Sequence, residues 1–219
     1  MQSKPVKLAV IANFRPTLEK KFVELQKRLD IYPIHYKPNF LRWWSGLVRQ
    51  QVCHIPSPAP LQQRELLLSQ LYKTDPRGLF AGKMVGCCME PQDVGAACAW
   101  HGHESPDGAF WVVERFGEII AVAWVWRHAD SLVIDCIDVL KVGKDKYVAP
   151  RERRIYPMFL QAAQSVIGQQ GVARVYVGVS LRRTGWDKFP HKLRPFPSPA
   201  VYAEGKGDDS VIVALIAGA

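Results

Sequence analysis

The stretch SLVIDCIDVLKVGKDKYVAPRERRIYPMFLQAAQSVI, residues 131–167, decides the fold. Its apolar first part is typical of a buried strand, and the basic segment after it contains a single glycine, Gly143. Apolar residues at helical spacing then predict an amphipathic helix over 154–168, which Pro157 should keep from beginning before about residue 153. Because helix starts attract anions, a strand, a basic loop and a helix in this order are typical of a site for a phosphate-bearing cofactor.

Elements on both sides of this stretch extend the pattern. Residues 109–116 and 119–128 predict a hairpin with a tight turn at Gly117, and a second short turn leads into 131–140, so that three antiparallel strands follow one another. Further segments add two helices, 61–72 and 90–103, and three strands, 79–89, 173–180 and 209–217. The sequence therefore predicts an α/β (α+β) fold with a mixed, mostly antiparallel central sheet flanked by helices.

Composition places the chain among globular proteins without a membrane span. No apolar run in its 219 residues approaches the ~18 needed to cross a bilayer, and the beginning MQSKPVKLAVIANF lacks the cleavage site of a signal peptide. Five cysteines, an odd number without framework spacing, are expected to be reduced thiols in a cytoplasmic protein. The sequence has no C-x-x-C and no H-x-x-x-H, so we expect no metal and interpret His101 and His103 as part of a solvated turn.

Positive charge is concentrated in the first part of the chain. Residues 1–78 contain 13 Lys/Arg and 5 Asp/Glu, which gives +8 of the total +9. This imbalance indicates an anionic partner such as nucleic acid; alternatively, the charge serves solubility. Trp43 and Trp44 stand beside Arg42, and such a group could stack on bases while the cation meets phosphate. Alternatively, the two tryptophans anchor this segment to the main domain.

A proline-rich segment, residues 54–60, is the best candidate for a linker. It divides the chain into a basic N-terminal extension, 1–60, and a main domain, 61–219. We expect the extension to be packed on the main domain or linked to it. The oligomeric state is left open by the sequence.

The order of elements over residues 79–219 resembles that of the GNAT acyltransferase superfamily. The segment MEPQDVGAACAW is similar to that family's first strand-to-helix passage, FWVVERFGEIIAVAWVWR to its second and third strands, and SLVIDCIDVL to its fourth strand. The resemblance implies an acyl-CoA-dependent N-acyltransferase that takes acetyl-CoA or another acyl-CoA as cosubstrate.

The same resemblance implies where the cofactor binds. In the family, the end of the fourth strand splays from the fifth, and the pantetheine arm pairs with the exposed backbone, here at Ile137, Asp138, Val139 and Leu140. The pyrophosphate would lie against the following loop and helix start, at Gly143, Lys144, Arg151, Arg153 and Arg154. The family's Arg/Gln-x-x-Gly-x-Gly/Ala pattern is replaced by residues 153–158, which contain no glycine. Cationic side chains would then hold the phosphates; alternatively, they hold nucleic acid and the cofactor site is lost.

Amine acylation needs a base for the amine and an acid for the leaving thiolate. By the resemblance, the base is Asp138 or Asp135, which strict alternation would place on opposite faces of the strand. Tyr202 is then the candidate acid, and Ser180 would orient the thiol. The alternatives are structural carboxylates paired with arginine and, for Tyr202, a packed surface aromatic.

The loop 180–202 mixes cations with aromatic rings, including Arg182, Arg183 and Trp186. Such a mixture suits a nucleobase and its phosphate, so the acceptor could be a nucleic-acid base or an aminoacyl group. Alternatively, the loop is a proline-rich cover that packs on the sheet. Two other functions stay open: a non-catalytic GNAT-like module that binds nucleic acid or protein, and an acetyltransferase for small-molecule amines.

Overall fold

The computed structural model describes residues 53–75, 77–89, 96–140, 149–178, 193–197 and 210–218. The strands are β1 (Leu61–Gln63), β2 (Leu66–Gln70), β3 (Gly108–Arg115), β4 (Glu118–His128), β5 (Ser131–Val139), β6 (Arg174–Gly178), β7 (Leu193–Pro197) and β8 (Ser210–Ala217). The helices are α1 (Arg77–Val85), α2 (Ala96–Glu104) and α3 (Ala149–Ser165), with a short 3-10 turn at Gln169–Gly171.

All of these strands belong to one sheet, in the order β1-β2-β3-β4-β5-β6-β8-β7. Neighbouring strands are antiparallel except β5 and β6, which are parallel because α3 carries the chain back between them. This arrangement confirms the predicted fold class, a mixed and mostly antiparallel sheet flanked by helices.

The β3–β4–β5 meander forms as the sequence predicts. Phe116 and Gly117 both have positive φ, 51° and 84°, as the tight turns that match strand twist require. Ala129 has a φ of 53° in the turn between β4 and β5. Two short turns therefore bring three long strands into register and bury most of β4 on both faces.

The two faces of the sheet carry separate helical layers. On one face, α3 packs its predicted apolar stripe against β3, β4 and β5, and Phe159 and Met158 are fully buried. On the other face, α1 and α2 cover Trp124 and Trp126. Within the described residues, β5 is thus buried between two layers, which explains its nearly continuous apolar sequence.

α3 differs from the prediction at its beginning. It starts at Ala149, before the expected residue, and Pro157 lies inside it. A proline in the interior of a helix removes one backbone hydrogen bond and introduces strain. Here Ile155 on one side of the proline and Met158 on the other are both fully buried, so packing of the apolar face outweighs that cost.

The predicted helix at 61–72 is wrong, because this segment forms the β1–β2 hairpin. Leu66 and Leu68 are buried whereas Leu67 between them is half-buried, so the burial period is two residues. Three consecutive leucines hide that alternation in the sequence. Arg64, with a φ of 54°, makes the turn.

The predicted strand at 79–89 is also wrong, because most of it lies in α1. Asp75 accepts a hydrogen bond from the Arg77 N–H at 2.9 Å and caps the helix. Gly82 is required by close packing: a Cβ there would lie 2.6 Å from the Met89 carbonyl carbon. Gly82 thus serves the packing of α1 against Met89.

Arg127 joins three distant parts of the chain. Its guanidinium donates to the carbonyl oxygens of Ala129 at 2.8 Å, His54 at 3.0 Å and Gln170 at 2.8 Å. Nearby, Ile55 is buried in the layer formed with α3. The segment predicted as a linker therefore packs on the sheet from residue 53 onward. The division into an N-terminal extension, 1–60, and a main domain, 61–219, stays a prediction.

Candidate functional site

A fork between β5 and β6 is the main feature of the sheet that could bind a ligand. The last described pair between these parallel strands is Ile134–Val177. β5 continues to Val139, whereas β6 ends at Gly178. In the part of the chain that the structure describes, the end of β5 therefore pairs only with β4 and has an open edge on its other side.

A β-bulge lies in β5 at the beginning of this open edge. Trp124 pairs with Asp135 and Val122 pairs with Asp138, so one extra residue of β5 is accommodated between the two pairs. Bulges increase local twist and bend the strand that carries them. The bulge therefore bends β5 next to the point where its described pairing with β6 stops.

The bulge also places Asp135 and Asp138 on the same face. Ile134 and Ile137 both lie in the layer with α3, so the residue that follows each of them faces α1 and α2. The expectation that the two carboxylates occupy opposite faces is wrong, because strict alternation ignores the extra residue.

Main-chain groups at the end of β5 point into the fork. The Leu140 N–H donates to the Ile120 carbonyl oxygen at 2.8 Å, so Leu140 faces β4. Because N–H and C=O directions alternate along a strand, those of Val139 point away from β4. Among the backbone positions predicted to bind a cofactor, Val139 thus has the suitable direction, and the N–H of Leu140 is already bonded.

Asp138 is half-buried and interacts with Cys87, which follows α1. Burial raises the pKa of the Cys87 thiol far above its usual value, and the Asp138 carboxylate raises this pKa further through its charge and a hydrogen bond. Cys87 is therefore a protonated thiol that donates to Asp138.

Asp135 is almost fully buried, with 6% of its surface exposed. Its side chain lies across the end of β6: a Cβ at Gly178 would stand 2.9 Å from Asp135 Cγ. The two carboxylates on this face thus differ in access, and Asp138 is the more open one.

A buried polar cluster under α2 was missed by the sequence reading. His101 and His103 are buried, not solvated as expected. The Lys73 ammonium group, also buried, donates to the carbonyl oxygens of Gly102 at 2.6 Å, Ser105 at 2.7 Å and Gly108. Hydrogen bonds of this number around one cation fix the connection between α2 and β3.

Both histidines are held in the neutral form. Burial, reinforced by the Lys73 charge, lowers the pKa of His101 to about 4 and that of His103 to about 3. Trp124 Nε1 donates to His101 Nδ1 at 3.2 Å, so protonation of Nδ1 would break that bond. Among the described residues no group of side chains could hold a metal ion.

This burial predicts a loss of stability in mild acid. Above pH 6.5 the two imidazoles are neutral in the folded and in the unfolded chain. Below pH 6.5 the unfolded chain binds protons that the folded chain does not bind. The free energy of unfolding should fall between about pH 6.5 and 5, by up to ~1.4 kcal/mol per pH unit for each histidine. Urea titrations across this range measure the slope.

The variant His101→Asn is the matched test, because its side-chain oxygen could still accept from Trp124. The pH slope should fall to about that of one proton, whatever the absolute stability of the variant. A wild-type free energy that stays flat between pH 6.5 and 5 would contradict the burial of neutral imidazoles.

Several predicted site residues are placed only in part. Arg154 is exposed on α3. The pKa of Glu65 in the β1–β2 turn is lowered mainly by a backbone hydrogen bond, and less by the positive charges of Arg115 and Arg154. Arg151 and Arg153 occupy the first turns of the same helix. The other candidates lie outside the described residues: Arg42, Trp43, Trp44, Gly143, Lys144, Ser180, Arg182, Arg183, Trp186 and Tyr202.

Among the described helices, none has the length and apolar character needed to cross a membrane.

Comparison with known proteins gives similarity in structure only. No protein-family model matches the sequence, and no curated protein matches it. Solved structures similar to this chain include a probable GNAT-family acetyltransferase from Chromobacterium violaceum, 12% identical, covering 73% of this chain and 93% of its own, with a TM-score of 0.43. The ribosomal-protein-S18-alanine N-acetyltransferase from Escherichia coli is 13% identical and covers 70% and 96%, with a TM-score of 0.43.

A GNAT-family acetyltransferase from Elizabethkingia anophelis, solved with acetyl-CoA bound, is 10% identical and covers 70% of this chain and 97% of its own, with a TM-score of 0.40. At these identities and TM-scores the similarity does not determine the function of this chain.

Proposed function

We propose that this chain is an acyl-CoA-dependent N-acyltransferase that binds its cosubstrate in the fork between β5 and β6. The observation that carries the proposal is the open edge of β5, with the N–H and C=O of Val139 directed into the fork. The pantetheine arm of CoA contains amide groups, which can pair with an open strand edge as another strand would.

Asp138 is the group best placed to accept a proton. The amine nitrogen attacks the thioester carbonyl carbon, a C–N bond forms and the C–S bond breaks. The amine proton passes to the Asp138 carboxylate, and the CoA thiolate leaves with the electron pair and takes a proton from an acid. For that acid Tyr202 remains the proposal, with Ser180 orienting the thiol.

A proline at residue 139 tests the main-chain contact directly. Val139→Pro removes an N–H that points into the fork and leaves the bonds to β4 intact, so the sheet should tolerate it. We expect the dissociation constant for acetyl-CoA to rise at least ~10-fold, about 1.4 kcal/mol, with little change in melting temperature. Calorimetric titration and a thermal melt measure the two effects.

The matched control is Leu140→Pro, which removes the N–H bonded to Ile120. It should lower the melting temperature, because a ladder hydrogen bond is lost. Acetyl-CoA bound equally well by wild type and Val139→Pro would count against binding along this edge, and wild-type protein that binds no acyl-CoA would refute the proposed function.

The cations at the start of α3 give a second test. The chain has no glycine where a phosphate loop would need one, so Arg153 and Arg154 would supply charge-assisted hydrogen bonds to the pyrophosphate. Replacing both by alanine should weaken acetyl-CoA binding at least ~10-fold and leave pantetheine binding unchanged. A double variant that keeps acetyl-CoA but loses RNA binding would favour the non-catalytic nucleic-acid module.

For the acceptor we propose a nucleic-acid base or an aminoacyl group. The net charge of +8 in residues 1–78 supports an anionic partner. A cytoplasmic location is supported by Cys53, Cys87, Cys88 and Cys98, none of which forms a disulfide in the described part of the chain. Transfer of labelled acetyl groups to RNA, to aminoacyl-tRNA or to simple amines separates this acceptor class from a small-molecule amine.

A further inference from the structure

The end of α1 fixes the backbone of Cys87. Gly86 follows the helix with a φ of 71°, and its N–H donates to the Lys83 carbonyl oxygen at 3.2 Å. The Cys87 N–H donates to the Gly82 carbonyl oxygen at 2.9 Å. A left-handed glycine with these two hydrogen bonds is the Schellman motif, a common helix end. The residue that follows α1 is therefore bonded to the last turn of the helix.

The chain then returns across α1 and holds the Cys87 sulfur from a second side. A Cβ at Gly82 would lie 3.0 Å from the Met89 Cα, so the two backbones are in contact, and Met89 is buried. The Met89 N–H donates a hydrogen bond to the Cys87 sulfur. Short polar side chains form the same kind of bond with the backbone two residues further on in turns. The sulfur thus accepts from Met89 and can direct its own proton to another group.

That group is the Asp138 carboxylate. Asp138 lies on the face of β5 that α1 covers, and its side chain forms a hydrogen bond with the Cys87 thiol. Because burial strongly disfavours the thiolate, the thiol keeps its proton at neutral pH and stays a donor. A hydrogen bond to the charged form of a carboxyl group favours that form. The thiol therefore stabilises the form of Asp138 that can accept a proton.

We propose that Cys87 is a positioning residue for Asp138: its thiol keeps the carboxylate ionised and oriented beside the open edge of β5, ready to accept the amine proton. This inference rests on the proposed function. Cys87 acts through Asp138 and forms no bond to the substrate. The Schellman motif and the contact between Gly82 and Met89 hold the thiol in place for this role.

Carbon-13 NMR of the aspartate carboxyl carbons tests the donor without any substrate. Cys87→Ala removes a donor to the charged form, so the pKa of Asp138 should rise by ~0.5–1 pH unit. Cys87→Ser keeps a hydroxyl donor and should stay close to the wild-type value. The signal is identified by its loss in Asp138→Asn. Neighbouring charged or titratable groups on α1, β3 and β5 are the same in both Cys87 variants: Arg77, Lys83, Cys88, Glu114 and Asp135.

Alkylation of Cys87 tests the same contact from the thiol side and needs no change at Cys87. The probe is iodoacetamide at pH 9, with fragmentation mass spectrometry to separate Cys87 from Cys88. Asp138→Asn removes the charge that opposes the thiolate, so Cys87 should react at least ~3-fold faster than in the wild type, about half a pKa unit. Asp130→Asn, in the exposed β4–β5 turn, should leave the rate unchanged.

Kinetics connect the contact with the reaction. With labelled acetyl-CoA and aminoacyl-tRNA, Cys87→Ala should lower kcat at least ~5-fold and leave the KM for acetyl-CoA unchanged, and Cys87→Ser should restore kcat. Cys88→Ala, which removes the adjacent half-buried thiol, is the matched control and should behave as the wild type.

An unchanged titration of Asp138 in Cys87→Ala, or an unchanged alkylation rate in Asp138→Asn, would overturn the proposal. So would a change in the Asp138 titration that Cys88→Ala reproduces. The expected titration and alkylation results in a protein that transfers no acetyl group would support the contact and refute the proposed function.

Discussion

Asp138→Asn should reduce kcat for acyl transfer about 100-fold or more, the usual contribution of a general base. Asparagine has the same shape as aspartate but cannot accept the amine proton. Its side-chain oxygen could still accept a hydrogen bond from the Cys87 thiol, so the melting temperature should change little. Steady-state kinetics with a saturating amine, together with a thermal melt, separate the two effects.

Asp130→Asn provides the control for this experiment. Asp130 bonds Arg174 at 2.7 Å through an exposed pair, and such pairs contribute little to stability. Its turnover should equal that of the wild type. A large loss of stability in Asp138→Asn with normal specific activity would mean that Asp138 is a structural carboxylate.

Lys73→Met should lower the free energy of unfolding by at least about 3 kcal/mol. Two buried carbonyl groups and a partly buried one would lose a charged donor, and hydrogen bonds to charged groups are worth ~1.5–3 kcal/mol each. Methionine fills a similar volume, so the loss is one of hydrogen bonding more than of packing. Urea denaturation measures the change through its midpoint.

Lys83→Met is the matched control, because Lys83 is exposed on α1. Its effect should stay within ~0.5 kcal/mol. Lys73→Met should also move the acid transition, since the Lys73 charge helps to keep His101 and His103 neutral. If Lys73→Met were as stable as the wild type, other donors would have to satisfy the carbonyl groups of Gly102, Ser105 and Gly108.

The parts of the fold that sequence predicts well are those with strong periodicity. β3, β4 and β5 have long apolar runs separated by short turns at Gly117 and Ala129, and these positions determine the pairing. α1 was missed because its signal is a cap at Asp75 and a close approach at Gly82. Both depend on neighbours in space, which a pattern along the chain does not contain.

The position of two site candidates in the fold could be predicted, but the directions in which they point could not. Asp138 and Val139 lie at the end of β5 as expected. Their directions depend on one extra residue at the bulge, which changes the face of every later side chain. The contact between Cys87 and Asp138 could not be predicted from the sequence. The segment around Cys87 was assigned to a strand, and the two residues are about 50 positions apart along the chain.

The parallel pairing of β5 with β6 closes a longer loop than the β3–β4–β5 hairpins do, so we expect the fork to assemble after them. The β3–β4–β5 hairpins need only short loops to close and can form within microseconds, whereas β6 must wait until α3 has folded back across the sheet. Contacts made late are absent from the folding transition state. A ligand in the fork would therefore leave the folding rate unchanged and lower the unfolding rate of the completed sheet. It would increase the kinetic stability of the protein.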